Sequence, residues 1–319
     1  MQTGRLVPWH VPVYQLLTTV NVTISPGPVS HRVFQKGDWT INLRGVNCPL
    51  EMRLRILKKG DIKLQGGTYM ESAMQKYFSS IIEILNRIES TQTENIQKAA
   101  DLMADCTKNG GIIHAFGTGH SHLVAEDIFW RGSTLSNIHA ILEPSMTGHA
   151  EISKAEYMEK LEGAGKLIVE YHQLAPPDIL IVISNSGNNT VPIEVAMEAS
   201  KRGVKVISIS SFDYAIHLKT LHASGKKLKD VADVAIDNCC PIGDAALSFE
   251  DLPMKVGAVS TVAGSFIAHS LIVQTVENLL KQGVKPDVYF NGSLMANSKE
   301  VEEYNQKITD KYFSRIRNL

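Results

Sequence analysis

Charge of either sign is not in excess in this 319-residue chain: 32 lysines and arginines stand against 33 aspartates and glutamates, a net charge of −1. Nucleic-acid binding rests on clustered positive charge, so this balance points away from nucleic acid as a partner. Cysteine is scarce, at positions 48, 106, 239 and 240, with no C-x-x-C or C-x-x-H spacing. That predicts free thiols in a cytoplasmic protein rather than a disulfide framework, and gives no metal site by spacing. The G-x-x-x-x-G-K-[ST] pattern does not occur, which argues against a nucleoside triphosphate with its magnesium. The opening residues lack a lysine-rich start followed by an apolar core, so no secretory signal is read there. Val256 to Val273 carries no Lys, Arg, Asp or Glu and is long enough to raise the membrane question. Its Gly, Ala, Ser and Thr content and His269 make transfer into lipid poor, so it is read as a buried or intersubunit helix, with no membrane partner.

What is present is a globular composition, 44% apolar and 20% charged. Asp178-Ile179-Leu180-Ile181-Val182-Ile183 reads as a strand covered on both faces. Val191, Ile193, Val195, Ala196 and Ala199 alternate with Glu194, Glu198, Lys201 and Arg202 before Gly203, the pattern of a helix ending at a glycine. Between them lie Ser184, Asn185, Ser186, Gly187, Asn188, Asn189 and Thr190, six hydrogen-bonding side chains in seven positions. A polar turn at the carboxyl end of a parallel strand and the start of a helix suits an anion, because first-turn amides and the helix dipole already favour one. With no lysine, the turn suits a phosphomonoester. The competing reading is that these residues only cap a helix and make a turn.

A second turn of this kind follows the strand Gly111 to Phe116. Gly117-Thr118-Gly119 opens it, and His120, Ser121 and His122 follow. Further strands are expected at 137–142, 204–210 and 232–237, giving about five parallel strands in a doubly wound, flavodoxin-like three-layer α/β fold. Two helices are expected before the first strand, and one long helix from about 254 to 282. Gly117-x-Gly119 could begin a dinucleotide fingerprint with Glu143 as its ribose-binding acid, but His122 holds the place of the third glycine, so an NAD-binding protein stays a lesser alternative. His120, His122 and His149 are weighed as metal ligands, and turn or substrate hydrogen bonding is preferred, so no metal or other cofactor is expected.

Residues 1–69 show no sustained period and form an unpatterned extension. Gln65-Gly66-Gly67 can be encoded as a ribosome-binding sequence just before the codon for Met70, which predicts a natural start at Met70. An intact-mass measurement of the native protein including residues 1–69 would contradict this. The domain proper is placed at 70–282 and a polar carboxyl-terminal tail or helix at 283–319.

The two polar turns, together with Ser184-x-Ser186-Gly187, the Ala-x-x-x-Ala-Ser-Lys-x-Gly helix ending at Gly203, and the strand Val204 to Ile209, resemble the paired signature of the SIS (sugar isomerase) domain. The resemblance extends to phosphoheptose isomerase and N-acetylmuramic acid 6-phosphate etherase, in which the second serine loop grips a sugar phosphate. It implies a phosphosugar bound by Gly117, Thr118, Gly119, Ser121, Glu143 and the Ser184–Thr190 loop. It further implies a base on the helix after the first loop, Glu126 or its neighbour Asp127, with Glu126 preferred, and an acid–base histidine on the last long helix, His269. Glu126 could instead merely pair with Arg131 on the helix. Isomerisation and lyase elimination share proton removal beside a carbonyl, so both stay open. Glu162-Gly163-Ala164-Gly165 departs from the etherase's Glu-Gly-Ala-Glu at its last position. A non-catalytic phosphosugar-sensing regulator is the alternative to an enzyme, and a homodimer or homotetramer is expected from the long uncharged helix.

Overall fold

Apolar runs decide where the strands fall. The computed structural model describes residues 39–40, 53–56, 62–65, 72–149, 151–291 and 298–316. The chain divides into two compact units, Met1–Met70 and Glu71–Leu319. In the first, β1 (Trp39–Thr40), β2 (Arg53–Ile56) and β3 (Ile62–Gln65) pair antiparallel in that order.

In the second unit, α1 (Ala73–Lys108) leads into β4 (Ile113–Gly117), α2 (His122–Asp127), β5 (Ile138–Ile141) and the short helices α3 (Pro144–Thr147), α4 (Ile152–Met158) and α5 (Ala164–Tyr171). β6 (Ile179–Ile183), α6 (Thr190–Lys201), β7 (Lys205–Ser210), α7 (Phe212–His217) and β8 (Val234–Asp237) follow. A hairpin of β9 (Ala245–Leu247) and β10 (Val256–Ala258) then precedes α8 (Ser260–Lys281) and α9 (Ser298–Tyr312). β4 to β8 form one parallel sheet in the order β5-β4-β6-β7-β8. This is the flavodoxin-like doubly wound order, and its topological switch lies between β4 and β6, where ligands bind in such sheets.

Side chains of a strand alternate between faces. Ile179, Ile181 and Ile183 of β6 join a core with α1, α2 and α8, whereas Leu180 and Val182 join a second core with α5 and α6. The three-layer fold expected from the sequence is therefore the one observed.

Three details differ from the sequence expectation. Among the described residues one helix, not two, precedes β4. No glycine or proline interrupts residues 86–95, Ile88 and Gln92 are buried, and Thr91 Oγ1 donates to Arg87 O one turn back at 2.6 Å. The last long helix begins at Ser260 rather than near 254, because Pro253 and Gly257, with φ of 87°, suit a hairpin, and Asp244 accepts from the amides of Val259 (3.2 Å) and Ser260 (2.8 Å). The segment beyond Gly283 packs back onto the unit. Val288 bridges to Leu135, Tyr312 and Ile316 cover Ile112, and Arg315 pairs with Asp178 at 2.6 Å.

Among the described residues no helix is long and apolar enough to cross a membrane. Cys106, Cys239 and Cys240 are free and buried, and burial followed by the Asp178 charge pushes the Cys106 thiol up to about 12, which leaves it unreactive.

Candidate functional site

Both polar turns lie at the switch point, at the carboxyl ends of β4 and β6. The Ser184–Thr190 turn is braced from behind by backbone bonds. Ser184 N donates to Ile209 O (3.0 Å), Ser211 N to Asn185 O (2.9 Å), Leu228 N to Gly187 O (2.9 Å) and Leu221 N to Asn188 O (2.9 Å). Asn185 Oδ1 accepts from Asn238 Nδ2 at 2.9 Å, and Ser184 Oγ accepts from Gly187 N at 3.3 Å. Gly187 sits at φ 62° with Ser210 against its α-carbon, where a β-carbon would meet the Ser210 β-carbon at 3.4 Å.

The front of the turn is different. Asn189 occupies the N-cap of α6, yet its side chain makes no capping bond, so the helix's first amides are not satisfied in the usual way. Asn188 donates its amide to Ser186 O at 2.7 Å, while its Oδ1 and the hydroxyl of Ser210 are buried with no hydrogen-bond partner among the described residues. Buried polar atoms are nearly always paired. Unpaired ones beside an uncapped helix start are what a ligand for this turn would satisfy.

The first turn folds tightly over Gly117: a β-carbon there would stand 2.7 Å from the carbonyl carbon and oxygen of Ser121, so no larger residue fits. Gly119 has φ 51°, Ser121 is half-buried, and His120 is exposed. Thr118 is buried and donates its hydroxyl to Glu159 Oε2 at 2.7 Å, while Glu159 O accepts from Val191 N, in the first turn of α6, at 3.0 Å. Glu159 thus ties one turn to the other. Its position in an otherwise charged, exposed helix end gave no such signal. Ser210 was in principle legible, as the second serine ending β7.

α2 starts immediately after the first turn and carries the two carboxylates. Asp127, not Glu126, pairs with Arg131, and Asp127 Oδ2 lies 3.0 Å from His269 Nε2 on α8. Among the described residues no hydrogen bond or ion pair joins Glu126 to His269. Glu126 Oε2 instead stands 3.6 Å from His122 Nε2, which in turn is 3.0 Å from His149 Nε2. Of the histidines weighed from sequence, His122 and His149 meet, and His120 stays apart.

Glu143 follows β5 at the N-cap of α3 and lies 3.4 Å from His172 Nε2. The two share a surface depression of about 460 Å³ with Leu142, Pro144, Leu167, Ile168 and Tyr171, a lining that contains no residue of either turn. Behind it a buried chain runs inward. His114 Nδ1 is 2.9 Å from His139 Nδ1, and His114 Nε2 is 3.3 Å from Asp178 Oδ2, whose other oxygen accepts from Ile112 N (2.8 Å) and Arg315 (2.6 Å).

The family model described as "SIS domain" matches residues 76–211, the stretch that carries both polar turns and β4 to β7. The UPF0309 protein BH3325 of Halalkalibacterium halodurans is 38% identical over 243 residues, spanning 76% of this chain and 99% of that protein. The UPF0309 protein TTE0306 of Caldanaerobacter subterraneus is 36% identical over 246 residues, 76% of this chain and 98% of its own. The chain belongs to the UPF0309 family. Among solved structures it is similar to the phosphoheptose isomerase GmhA of Neisseria gonorrhoeae, at 20% identity and a TM-score of 0.44 over 63% of this chain and 95% of that one.

Proposed function

We propose that this protein binds a phosphorylated sugar and acts on it as an isomerase or lyase. The phosphate is placed on the Ser184–Thr190 turn and the start of α6, with Gly117, Thr118, Gly119 and Ser121 forming the facing wall. The observation that carries this is the pair of unpaired buried atoms of Asn188 and Ser210 at the start of α6, a turn that no side chain caps although Glu159 O already accepts from its Val191 amide. A phosphomonoester accepts from amides and the serine hydroxyl, and a sugar hydroxyl can donate to Asn188 Oδ1. Proton transfer beside the sugar carbonyl is assigned to Glu126, and to His269 held by Asp127. Glu143, seated on a different surface, is given a hydroxyl-binding role only if the sugar reaches past β5.

Thermal-shift screening of the full chain against sugar phosphates and their unphosphorylated parents, with NMR to follow conversion, tests the reading. Stabilisation is expected only with phosphate, by several degrees at saturating ligand, and Ser186→Ala reduces it. Glu126→Gln is expected to keep binding and lower turnover by at least about 100-fold. Binding without any turnover would instead identify a sensor, and no phosphate-dependent shift would end the proposal.

α8 leaves Val262, Phe266 and Val273 exposed on the single chain. This supports a homodimer or homotetramer built on that helix. Phe266→Glu is expected to shift the light-scattering mass to the monomer.

A further inference from the structure

We propose that His122, His149 and Glu126 form a site for a divalent transition metal, zinc by their chemistry, beside the first polar turn. Their ligand atoms all lie within 4.8 Å of one another. Two imidazole nitrogens and one carboxylate oxygen suit zinc rather than magnesium or calcium. Donors about 2.0–2.1 Å from one zinc ion stand roughly 3.3–3.4 Å apart in tetrahedral geometry, between the 3.0 Å that separates the two Nε2 atoms and the 3.6 Å from His122 Nε2 to Glu126.

The hydrogen bonds on the far side of each ring carry the argument further. His122 Nδ1 faces the carbonyl of Gly119, which can only accept, so Nδ1 bears the proton and Nε2 presents a lone pair. His149 Nδ1 is 3.3 Å from Thr147 Oγ1, whose own hydrogen is directed to Pro144 O at 3.3 Å. With its hydrogen so directed, the threonine oxygen can accept from His149 Nδ1, which leaves the His149 Nε2 lone pair for a metal. In those tautomers two lone pairs and a carboxylate face one another, a set one divalent cation would satisfy in place of a proton shared between the two Nε2 atoms. Orienting bonds of this sort on the outer nitrogen are the usual support of metal-bound histidines.

His122 is buried on α2 and His149 exposed on the loop after α3, so one wall is fixed and the other open to incoming metal. Three protein ligands leave a fourth position free, the pattern of a reactive rather than a purely structural site. The site itself stands independently of the sugar reading, and its test uses no sugar.

The full chain, stripped with chelator and dialysed against zinc(II), is expected to retain one zinc per chain, and cobalt(II) in its place gives the intense visible absorption of a four-coordinate ion. His149→Ala, a change at an exposed side chain, and Glu126→Gln each weaken zinc binding at least tenfold and abolish the cobalt spectrum, whereas His217→Ala on α7 changes neither. Wild-type protein that retains no zinc, or a His149→Ala protein with unchanged zinc content and cobalt spectrum, overturns the proposal. Loss of sugar-phosphate stabilisation in the earlier screen would leave this result untouched.

Discussion

Asp178→Ala is expected to lower the unfolding free energy by about 3 kcal/mol at neutral pH, because it strands the buried donors of His114 and Ile112, each worth roughly 1–3 kcal/mol when left unpaired. Arg315 adds little to the loss, since its side chain is 41% exposed while that of Asp178 is 2% exposed. Burial would raise the Asp178 carboxyl, but bonds from His114, the Ile112 amide and Arg315 outweigh it and hold the group below its ordinary value of 3.8. Burial first, with the charges of His172 and Arg315, holds His114 below its ordinary 6.5 despite Asp178. Both groups bind fewer protons folded than unfolded, so both make stability fall on acidification. The histidine contribution is lost as pH drops below about 6.5, and the aspartate contribution as it drops through the lowered folded value, below 3.8. Urea unfolding of the two proteins from pH 7 to pH 3 should show both stages in the wild type and a smaller second stage in Asp178→Ala, where Asp230 and Glu277, also held below their ordinary values, still contribute. A variant as stable as the wild type, or one with an undiminished second stage, would remove Asp178 from this account.

Gly165→Glu restores the acidic residue of the etherase segment and is expected to destabilise the fold by about 3 kcal/mol, the upper part of the overpacking range, with no gain of ether-cleaving activity. A β-carbon at Gly165 would stand 2.7 Å from the Glu194 β-carbon and from the Val195 amide nitrogen. Glu194 is already committed, accepting from Gly163 N at 2.9 Å and Gly165 N at 2.7 Å, so that its carboxylate closes the start of α5. A glutamate at 165 would push α5 off α6 and set a second negative charge beside the first. Thermal unfolding measures the loss, and release of a lactyl group from an ether substrate reads the activity. An unchanged melting temperature would show that α5 can move aside, and would return the segment to chemical consideration.

The sheet was legible because β6 is a continuous apolar run and β4, β5 and β7 are mostly apolar, as burial on both faces requires, and because Gly203 and the polar turns mark their ends. The single helix α1 was not, since its midsection of Ser90, Thr91 and Thr93 looks like a break. Its hydroxyls in fact fold back onto the helix's own carbonyls. The two turns announce themselves by local composition, whereas the partners of Glu126 do not. Adjacent carboxylates at 126 and 127 face different neighbours, His122 and His269, and one residue of register decides which. His149 and Glu159 reach the site only through the sheet's crossover connections, across 27 and 41 residues of chain, a separation over which periodicity carries no information.

Glu159 couples the two halves of the sheet edge mechanically. Its carboxylate holds Thr118 and its carbonyl holds Val191, so neither turn can swing outward without straining the other. An occupant of one turn therefore meets a neighbour whose geometry is already set, and the entropy of ordering the pair has been lost in folding rather than at binding. Little movement on binding is the expected consequence, and Glu159→Ala, which removes the bond to Thr118 and keeps the backbone bond to Val191, would loosen the first turn alone.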